Sequence, residues 1–503
     1  MVMTVRDLDP GVTAFLAGGA KQLLIGGRWQ EAASGKTFAT HNPATGEELA
    51  RVAEGDREDI DRAVRAARQA FDAGPWPAMT AAERSQVLWK LADLIEERAE
   101  VFAQLETLDN GKPITAARRD DVGGTVDYFR YFAGWPTKVE GATIPISVPN
   151  TFAYTLRQPV GVCGQIIPWN YPLMMAAWKL APALAVGCTV VLKPAEQTPL
   201  SALYLGQTCL DAGMPAGVVN VVTGYGDTAG AALAEHMDVD KVAFTGSTEI
   251  GRLILRASSG SNLKKVSLEL GGKSPNIVFA DADLDLAREG AAAGIFYNMG
   301  QDCTAGSRVF VEAPVYDDVA QYIADHAKKL KLGPGLDEGT EIGPLVSQEQ
   351  LDRVVGYLKL GPQEGARVLS GGARATEPEL QSGYFVRPTV FASARNEMRI
   401  AQEEIFGPVV SVIPFRDVED VIAQGNAVAY GLGAGVWTNN LQKAHRVAAG
   451  LKAGTVWVNT YGGTDPALPF GGFKQSGHGR EMGSEAIHLY TEVKSVLINL
   501  GEN

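Results

Sequence analysis

Between about residues 155 and 270 the chain alternates short, uniformly apolar, β-branched runs with longer helix-like segments, and no other feature limits the fold so strongly. The runs "GVCGQIIP", "CTVVLKP", "VVNVVTG", "KVAFTG" and "KVSLELGG" are separated by "MMAAWKLAPALAVG", "SALYLGQTCLDAG", "TAGAALAEHM" and "STEIGRLILRAS". A strand wet on one face alternates apolar and polar residues. These runs do not, so they read as strands buried on both faces of a parallel, doubly wound sheet. A second pattern of this kind begins near 275 and continues to about 470, through "SRVFVEAP", "VVSVIPF", "AGVWT" and "TVWVNT". With 503 residues the chain is too long for one core, and two or three domains are expected.

The N-terminal 140 residues add hairpin-like "LLIGGRWQEA" and "HNPATGEELARV" and long amphipathic helices such as "AERSQVLWKLADLIEERAEVFAQLET". "ATIPISVPNTFAYTLRQPV" and the terminal "YTEVKSVLINL" read as strands with exposed β-branched faces. Such strands complete their sheet against a neighbour, so an oligomer is expected.

Several function classes are set aside on charge and composition. Lys and Arg number 45 against 58 Asp and Glu, a net charge of −13, and no basic stripe exists for a phosphate backbone, so nucleic acid is not an expected partner. The opening "MVMTVRDLDPGVTAFLAGGA", with Asp7, Asp9 and Pro10, lacks the basic start and long apolar centre of a secretory signal. The longest apolar stretch, "LAPALAVGCTVVL", is short for a membrane span and carries Pro182. A cytoplasmic protein that binds no membrane is expected. Four cysteines without a CxxC pair, and six scattered histidines, predict neither a disulfide framework nor a metal site.

Doubly wound sheets bind ligands at the carboxyl ends of their strands. The polar residues falling there are Asn170, Lys193 and Glu196, Gly246 and Ser247, and Glu269. "FTGSTEIG" suits a dinucleotide phosphate on a helix start, or only a tight strand-to-helix turn. "ELGGKS" is not a nucleotide-hydrolase loop, because the position that must be glycine is Ser267, inside a strand. One further feature needs chemistry: "GQDCTAGSR" places Cys303 after an acid, among small residues, with no histidine to act as its base.

"PWNYPL", "KPAEQTP", "FTGSTEIG", "LELGGKSP", "GQDCTAGSR", "EEIFGPV" and "PFGGFKQSGHGRE" occur in the order and spacing of the aldehyde dehydrogenases, and the chain resembles that family from "IGGRW" to its last strand. The resemblance implies an α/β fold of two doubly wound, Rossmann-like domains plus a small β bridging element. It places the NAD-binding domain at 1–139 and 160–271, the catalytic domain at 272–471 and the bridging element at 140–159 and 486–503. A homodimer or homotetramer is implied. Cys303 corresponds to the nucleophile, Glu269 to the base, and Asn170 to the oxyanion donor, with Lys193 also counted in the catalytic set. Ile166, Ile167, Pro168 and Trp169 match the cofactor wall, Lys193 and Glu196 the adenosine ribose, Gly246 and Ser247 the pyrophosphate loop, and Glu404 and Phe406 the nicotinamide end. The aldehyde tunnel is implied at Tyr171, Met175, Trp178, Tyr297, Asp302, Thr304 and Phe470.

These residue types suit that chemistry. An aldehyde cannot release hydride while its carbon is trigonal; addition of a thiolate makes a tetrahedral alkoxide that can, leaving a thioester for water to cleave. A thiol with a pKa of about 8.5 is mostly protonated at neutral pH, so the site must lower it or supply a base. Glu196 would accept bonds from both ribose hydroxyls and repel a 2′-phosphate, which favours NAD; Lys193 leaves NADP as the weaker alternative. Asp302 would either welcome a cationic aldehyde or pair with a neighbouring cation. "YNMGQDCTA" and "PWNYP" are similar to ω-aminoaldehyde and betaine-aldehyde enzymes, and "LPFGGFKQSG" to phenylacetaldehyde enzymes. Aminoaldehydes or arylaldehydes are the expected substrates, with general aliphatic specificity as the alternative. A non-catalytic protein on this fold would have lost Cys303, Glu269 or Asn170; all three are present.

Overall fold

The computed structural model describes residues 8–501. The acid read at Asp7 and the last two residues of the expected bridging element lie outside them.

Five parallel strands form the centre of the first sheet, in spatial order Lys265–Glu269, Lys241–Thr245, Val162–Ile166, Thr189–Lys193 and Val219–Val221. All but the first are completely buried along their length, as the continuous apolar runs require. The chain lays Val162–Ile166 first, winds outward through the next two strands, then returns to the other side of Val162–Ile166 with Lys241–Thr245. The switch point therefore lies between the ends of those two strands, at Ile167 and Gly246. The sheet is not purely parallel: the hairpin Leu23–Ile25/Arg28–Gln30 adds antiparallel strands at one edge, and Gly477–His478, from the far end of the chain, pairs antiparallel with Leu268 and Glu269 at the other.

The second sheet runs Arg367–Ser370, Thr389–Ala392, Val409–Phe415, Arg308–Glu312, Pro275–Val278, Gly433–Trp437, Thr455–Val458, parallel except for its first strand. Each sheet has its own apolar core. The helix Pro172–Val186 is the most deeply buried, with only Met174 reaching partial exposure; each large side chain buried there stabilises the fold by about 1.5–3 kcal/mol. The stretch read as one long helix from 82 to 107 is two, Ala81–Glu97 and Ala99–Asn110, broken where Arg98 leaves helical geometry.

Thr151–Pro159 and Thr491–Asn499 pair antiparallel over nine residues as a separate ribbon. Phe152, Leu156, Val493, Leu497 and Ile498 are exposed on it. No helix is long and apolar enough to cross a membrane among the described residues, and none of their His, Cys, Asp and Glu side chains cluster in threes to hold a metal ion.

Candidate active site

The carboxyl edge of the first sheet faces the amino edge of the second across a cavity of about 1080 Å³. From the first sheet come Pro168 to Tyr171, which follow Val162–Ile166, then Thr245 to Ser247, and Glu269. From the second come Asp302 to Ala305, which precede Arg308–Glu312, and Glu404 and Phe406, which precede Val409–Phe415. Cys303 is the only partly exposed cysteine; Cys163, Cys188 and Cys209 are buried.

The cysteine sits on a strained turn. Asn298, Met299 and Gly300 are consecutive residues in the left-handed region, at φ 46°, 55° and 65°, which costs roughly 1–2 kcal/mol for each non-glycine residue. Gly300 has no substitute: a Cβ there would lie 2.1 Å from the Gly407 carbonyl oxygen, so the cysteine turn and the Glu404–Phe406 segment are in backbone contact. Outside groups hold the turn down. The Asn170 Nδ2 donates to the Gln301 carbonyl (3.0 Å), as does Asn298 (3.0 Å), and the Gln301 side chain accepts from Val346 N–H (3.1 Å). The Asn170 side chain therefore caps no helix; Tyr171 is the N-cap of Pro172–Val186, and no side chain caps that helix.

Electrostatics at the site run against a free thiolate. Burial pushes the Cys303 thiol well up, and Asp302, Glu269 and Glu404 add to the shift. Glu269 is 3% exposed, and its Oε1 has no hydrogen-bond partner. Burial, then Glu481, pushes its carboxyl well above the usual range, against the weaker pull of Lys179 and Arg480. A buried, unpaired carboxyl oxygen in a cavity wall is costly unless a ligand or water uses it. Burial raises Glu404 to about 7 even though its Oε1 accepts from Gly272 N–H at 2.9 Å. Gly271 lies so close to Glu404 that a Cβ would meet a carboxylate oxygen at 2.2 Å.

Asp302 does not pair with a cation. One oxygen accepts from the Tyr171 hydroxyl (2.9 Å) and the other from the Thr304 N–H and hydroxyl (both 2.7 Å). Met175, Trp178, Tyr297 and Phe470 join it in the cavity wall, with Trp178 edge-on to Phe470 at 5.1 Å and to Tyr128 at 5.5 Å. Tyr297 donates to Asp120 (2.8 Å).

Of the residues expected to act together, Ile166, Ile167, Lys193 and Glu196 are absent from this cavity's wall. The two isoleucines are buried. Lys193 ends on Glu196 at 3.0 Å, at the next strand end along, and makes no contact that would place it with the cysteine. Sequence reasoning missed Tyr461, whose hydroxyl donates to the Thr304 carbonyl (2.7 Å), and Ser476, whose hydroxyl donates to the Gly271 carbonyl (2.6 Å) while accepting from Gly431 N–H (2.9 Å). "QSG" beside the glycine-rich "PFGG" was the available signal for Ser476; Tyr461 had none.

A dinucleotide fits the groove. Gly246 and Ser247 open the twelve-residue helix Thr248–Ser259 at the switch point, and the buried Thr245 hydroxyl beside them has no partner. Phe406, itself at φ 61°, packs edge-on to Trp169 at 5.2 Å, and the Glu404 carboxylate is the acceptor at that end.

A glycine-lipped groove at a switch point, shared with a cysteine and a buried carboxyl, is the site of an NAD-dependent oxidoreductase. Residues 29–496 match the model of the aldehyde dehydrogenase family, and the chain belongs to that family. It is 52% identical over 482 residues to human aldehyde dehydrogenase 1A1, covering 96% of this chain and 95% of that one. The NAD+ complex of an aldehyde dehydrogenase from Bacillus cereus superposes with a TM-score of 0.96 at 56% identity, covering 98% and 99% of the two chains. Betaine aldehyde dehydrogenase from Staphylococcus aureus, also with NAD+, superposes at 0.95 with 40% identity over 98% of each. The expected fold and family are thereby borne out.

Proposed function

We propose that the protein oxidises an aldehyde to its carboxylic acid with NAD+, Cys303 forming a thiohemiacetal and then a thioester that water cleaves with Glu269 as base. The observation that carries this is the meeting of Cys303, the Asn170 amide and the unpartnered Glu269 carboxyl in the wall of one cavity that reaches the glycine turn at the switch point. Gly246 and Ser247 hold the pyrophosphate, Glu404 and Phe406 the nicotinamide end, and Lys193 and Glu196 the adenosine ribose. Bound there, NAD+ supplies the hydride acceptor and a positive charge beside three carboxyl groups. The Cys303 thiol gives its proton through water to Glu269, which releases it to solvent, the sulfur attacks the carbonyl carbon, and the Asn170 amide donates to the alkoxide, a contact worth about 2.7–4 kcal/mol in the transition state. Loss of hydride restores the carbonyl as a thioester. Glu269 then takes a proton from the attacking water and the thiolate leaves.

Glu196, held beside Lys193, favours NAD over NADP. The aromatic wall of Tyr171, Trp178, Tyr297 and Phe470, together with Asp302, supports ω-aminoaldehydes or betaine aldehyde, or arylaldehydes such as phenylacetaldehyde. One observation favours general aliphatic specificity instead: both Asp302 oxygens already hold donors from the protein itself. The exposed ribbon Thr491–Asn499 supports assembly as a dimer or tetramer.

The test is NAD+ reduction with 4-aminobutanal, betaine aldehyde, phenylacetaldehyde, hexanal and succinic semialdehyde. The parent should turn over at least one, with succinic semialdehyde poorest, and Cys303→Ala none. Acid production by Cys303→Ala at the parent rate would overturn the mechanism; equal efficiency on all five would overturn the substrate preference alone.

A further inference from the structure

The cysteine turn is tied to a buried ion pair that takes no part in the chemistry above. Lys112 follows Ala99–Asn110 and has no exposed surface; its Nζ donates to both oxygens of Asp121, also fully buried, at 2.6 and 2.7 Å. The same Nζ lies 3.9 Å from the centre of the Tyr171 ring. Burial, then the charge of Asp302, holds the Tyr171 hydroxyl far above its ordinary range, so it keeps its proton and donates to Asp302. The other Asp302 oxygen takes the Thr304 N–H and hydroxyl, closing a turn around Cys303 from both sides.

We propose that Lys112 is a positioning residue for the nucleophile, acting through the Tyr171 ring and hydroxyl to fix the Asp302 carboxylate and the turn that carries Cys303. A cation on the ring face draws electron density from the phenol and strengthens its O–H as a donor. Lys112, Asp121 and Tyr171 are buried and Asp302 is partly so, and each link is a short contact in surroundings where electrostatic interactions are strong. The turn needs such fasteners because two left-handed non-glycine residues, Asn298 and Met299, oppose it. A carboxylate held by three donors also presents less charge to the sulfur than a loose one. Asp302, Glu269, Glu404 and the Tyr461 hydroxyl are the titratable groups facing that sulfur, and only Asp302 is under the control of Lys112.

The inference rests on Cys303 being the nucleophile, and its test uses no turnover. Alkylation of the cofactor-free enzyme by iodoacetamide is followed across pH; the other three cysteines are buried. The variants are Lys112→Met/Asp121→Asn, which removes the pair without stranding a charge, Tyr171→Phe, which removes only the hydroxyl, and the three substitutions together. The first two should each raise the alkylation midpoint by about one pH unit, roughly a tenfold slowing at neutral pH, and the triple variant should go no further. Lys112→Arg, which keeps the cation on the ring, should restore the parent profile. Equal slowing by the pair substitution in parent and Tyr171→Phe backgrounds marks a merely structural role and overturns the proposal. So does an unmoved profile in Tyr171→Phe, which decides the matter even if the Lys112 variant fails to fold. If Cys303→Ala still makes acid, the nucleophile assignment itself has failed.

Discussion

Replacing Gly300 with alanine tests the contact on which the site's geometry depends. Its φ of 65° costs an alanine roughly 1–2 kcal/mol. The added Cβ would lie 2.1 Å from the Gly407 carbonyl oxygen and 2.4 Å from its carbon, both backbone atoms that no rotamer change can move aside. One of the two segments must retreat by about an ångström, with overpacking of about 1–3 kcal/mol if the shift is incomplete. The expected destabilisation is about 2–5 kcal/mol. Because the displaced segments carry Cys303 on one side and Glu404 and Phe406 on the other, an ångström of misplacement should lower turnover about a hundredfold. Gly356, exposed inside Gln348–Gln363 with no atom within 4 Å of its virtual Cβ, is the control: alanine there should stabilise by about 0.4–1 kcal/mol and leave activity alone. Urea melts give the stabilities, and single-turnover kinetics with NAD+ the activity of the folded fraction. Parent turnover in Gly300→Ala, or stability changes of one sign in both variants, would refute the argument.

Glu269→Gln should keep the first-turnover burst of reduced cofactor while slowing steady-state hydrolysis by about 10²–10⁴-fold, seen by rapid mixing; loss of the burst would move the residue to an earlier step. Asn170→Ala should lower kcat/KM by about 10²–10³-fold with little change in the NAD dissociation constant measured by calorimetry. Because Asp302 opposes the thiolate, Asp302→Asn should shift the Cys303 alkylation profile toward acid, and it should lower the ratio of aminoaldehyde to hexanal turnover; an unchanged ratio would remove Asp302 from substrate recognition. Glu404 is raised in the folded state, so its contribution to stability is present below the unfolded carboxylate range and is lost as pH rises through about 7. Glu404→Gln should therefore lose less stability than the parent between about pH 4.3, the value of a free glutamate, and about pH 7, its value here, in melts.

The parts of the fold visible in the sequence are those whose cause is local. Uniform burial of Thr189–Lys193 and Lys241–Thr245 shows in uninterrupted apolar residues, and the order of strands and helices then leaves few ways to wind the sheet. Gly246 and Ser247 could be placed because a strand end and a helix start are both readable. Gly477–His478 was hidden: a two-residue strand from the opposite end of the chain has no periodicity of its own. At the site, Cys303, Glu269 and Asn170 came from motif resemblance, but their arrangement did not. The left-handed run at Asn298–Gly300 follows from contacts with Gly407 and Asn170, made by segments more than a hundred residues away, and "YNMG" has only one glycine to announce it. The error over a cation beside Asp302 has the same origin, since its partner Tyr171 lies 131 residues off.

The two sheets meet with opposite polarity, and that bears on the cysteine's lack of a histidine. Carboxyl ends of strands in the first sheet lead into helix starts, whose unpaired N–H groups suit phosphate. Amino ends of strands in the second are entered by loops, and such loops can bring Cys303, Glu404 and the Gly271 turn close together without a helix dipole of their own. In this arrangement the second sheet supplies two carboxyl neighbours, Asp302 and Glu404, the first sheet supplies Glu269, and no cation raises the acidity of the sulfur, so the free enzyme disfavours the thiolate. A histidine would have remedied that permanently, and would also have left a reactive sulfur exposed when no substrate is present. In the mechanism proposed above, holding the thiol protonated until a cation enters the groove would link nucleophile activation to occupancy. The corresponding measurement is iodoacetamide alkylation with and without NAD+: the cofactor should lower the midpoint, and the gain should shrink in Phe406→Ala, where the nicotinamide end loses its wall. Identical midpoints with and without NAD+ would show that the three carboxyl groups, and not the absence of a counter-charge, set the reactivity of Cys303.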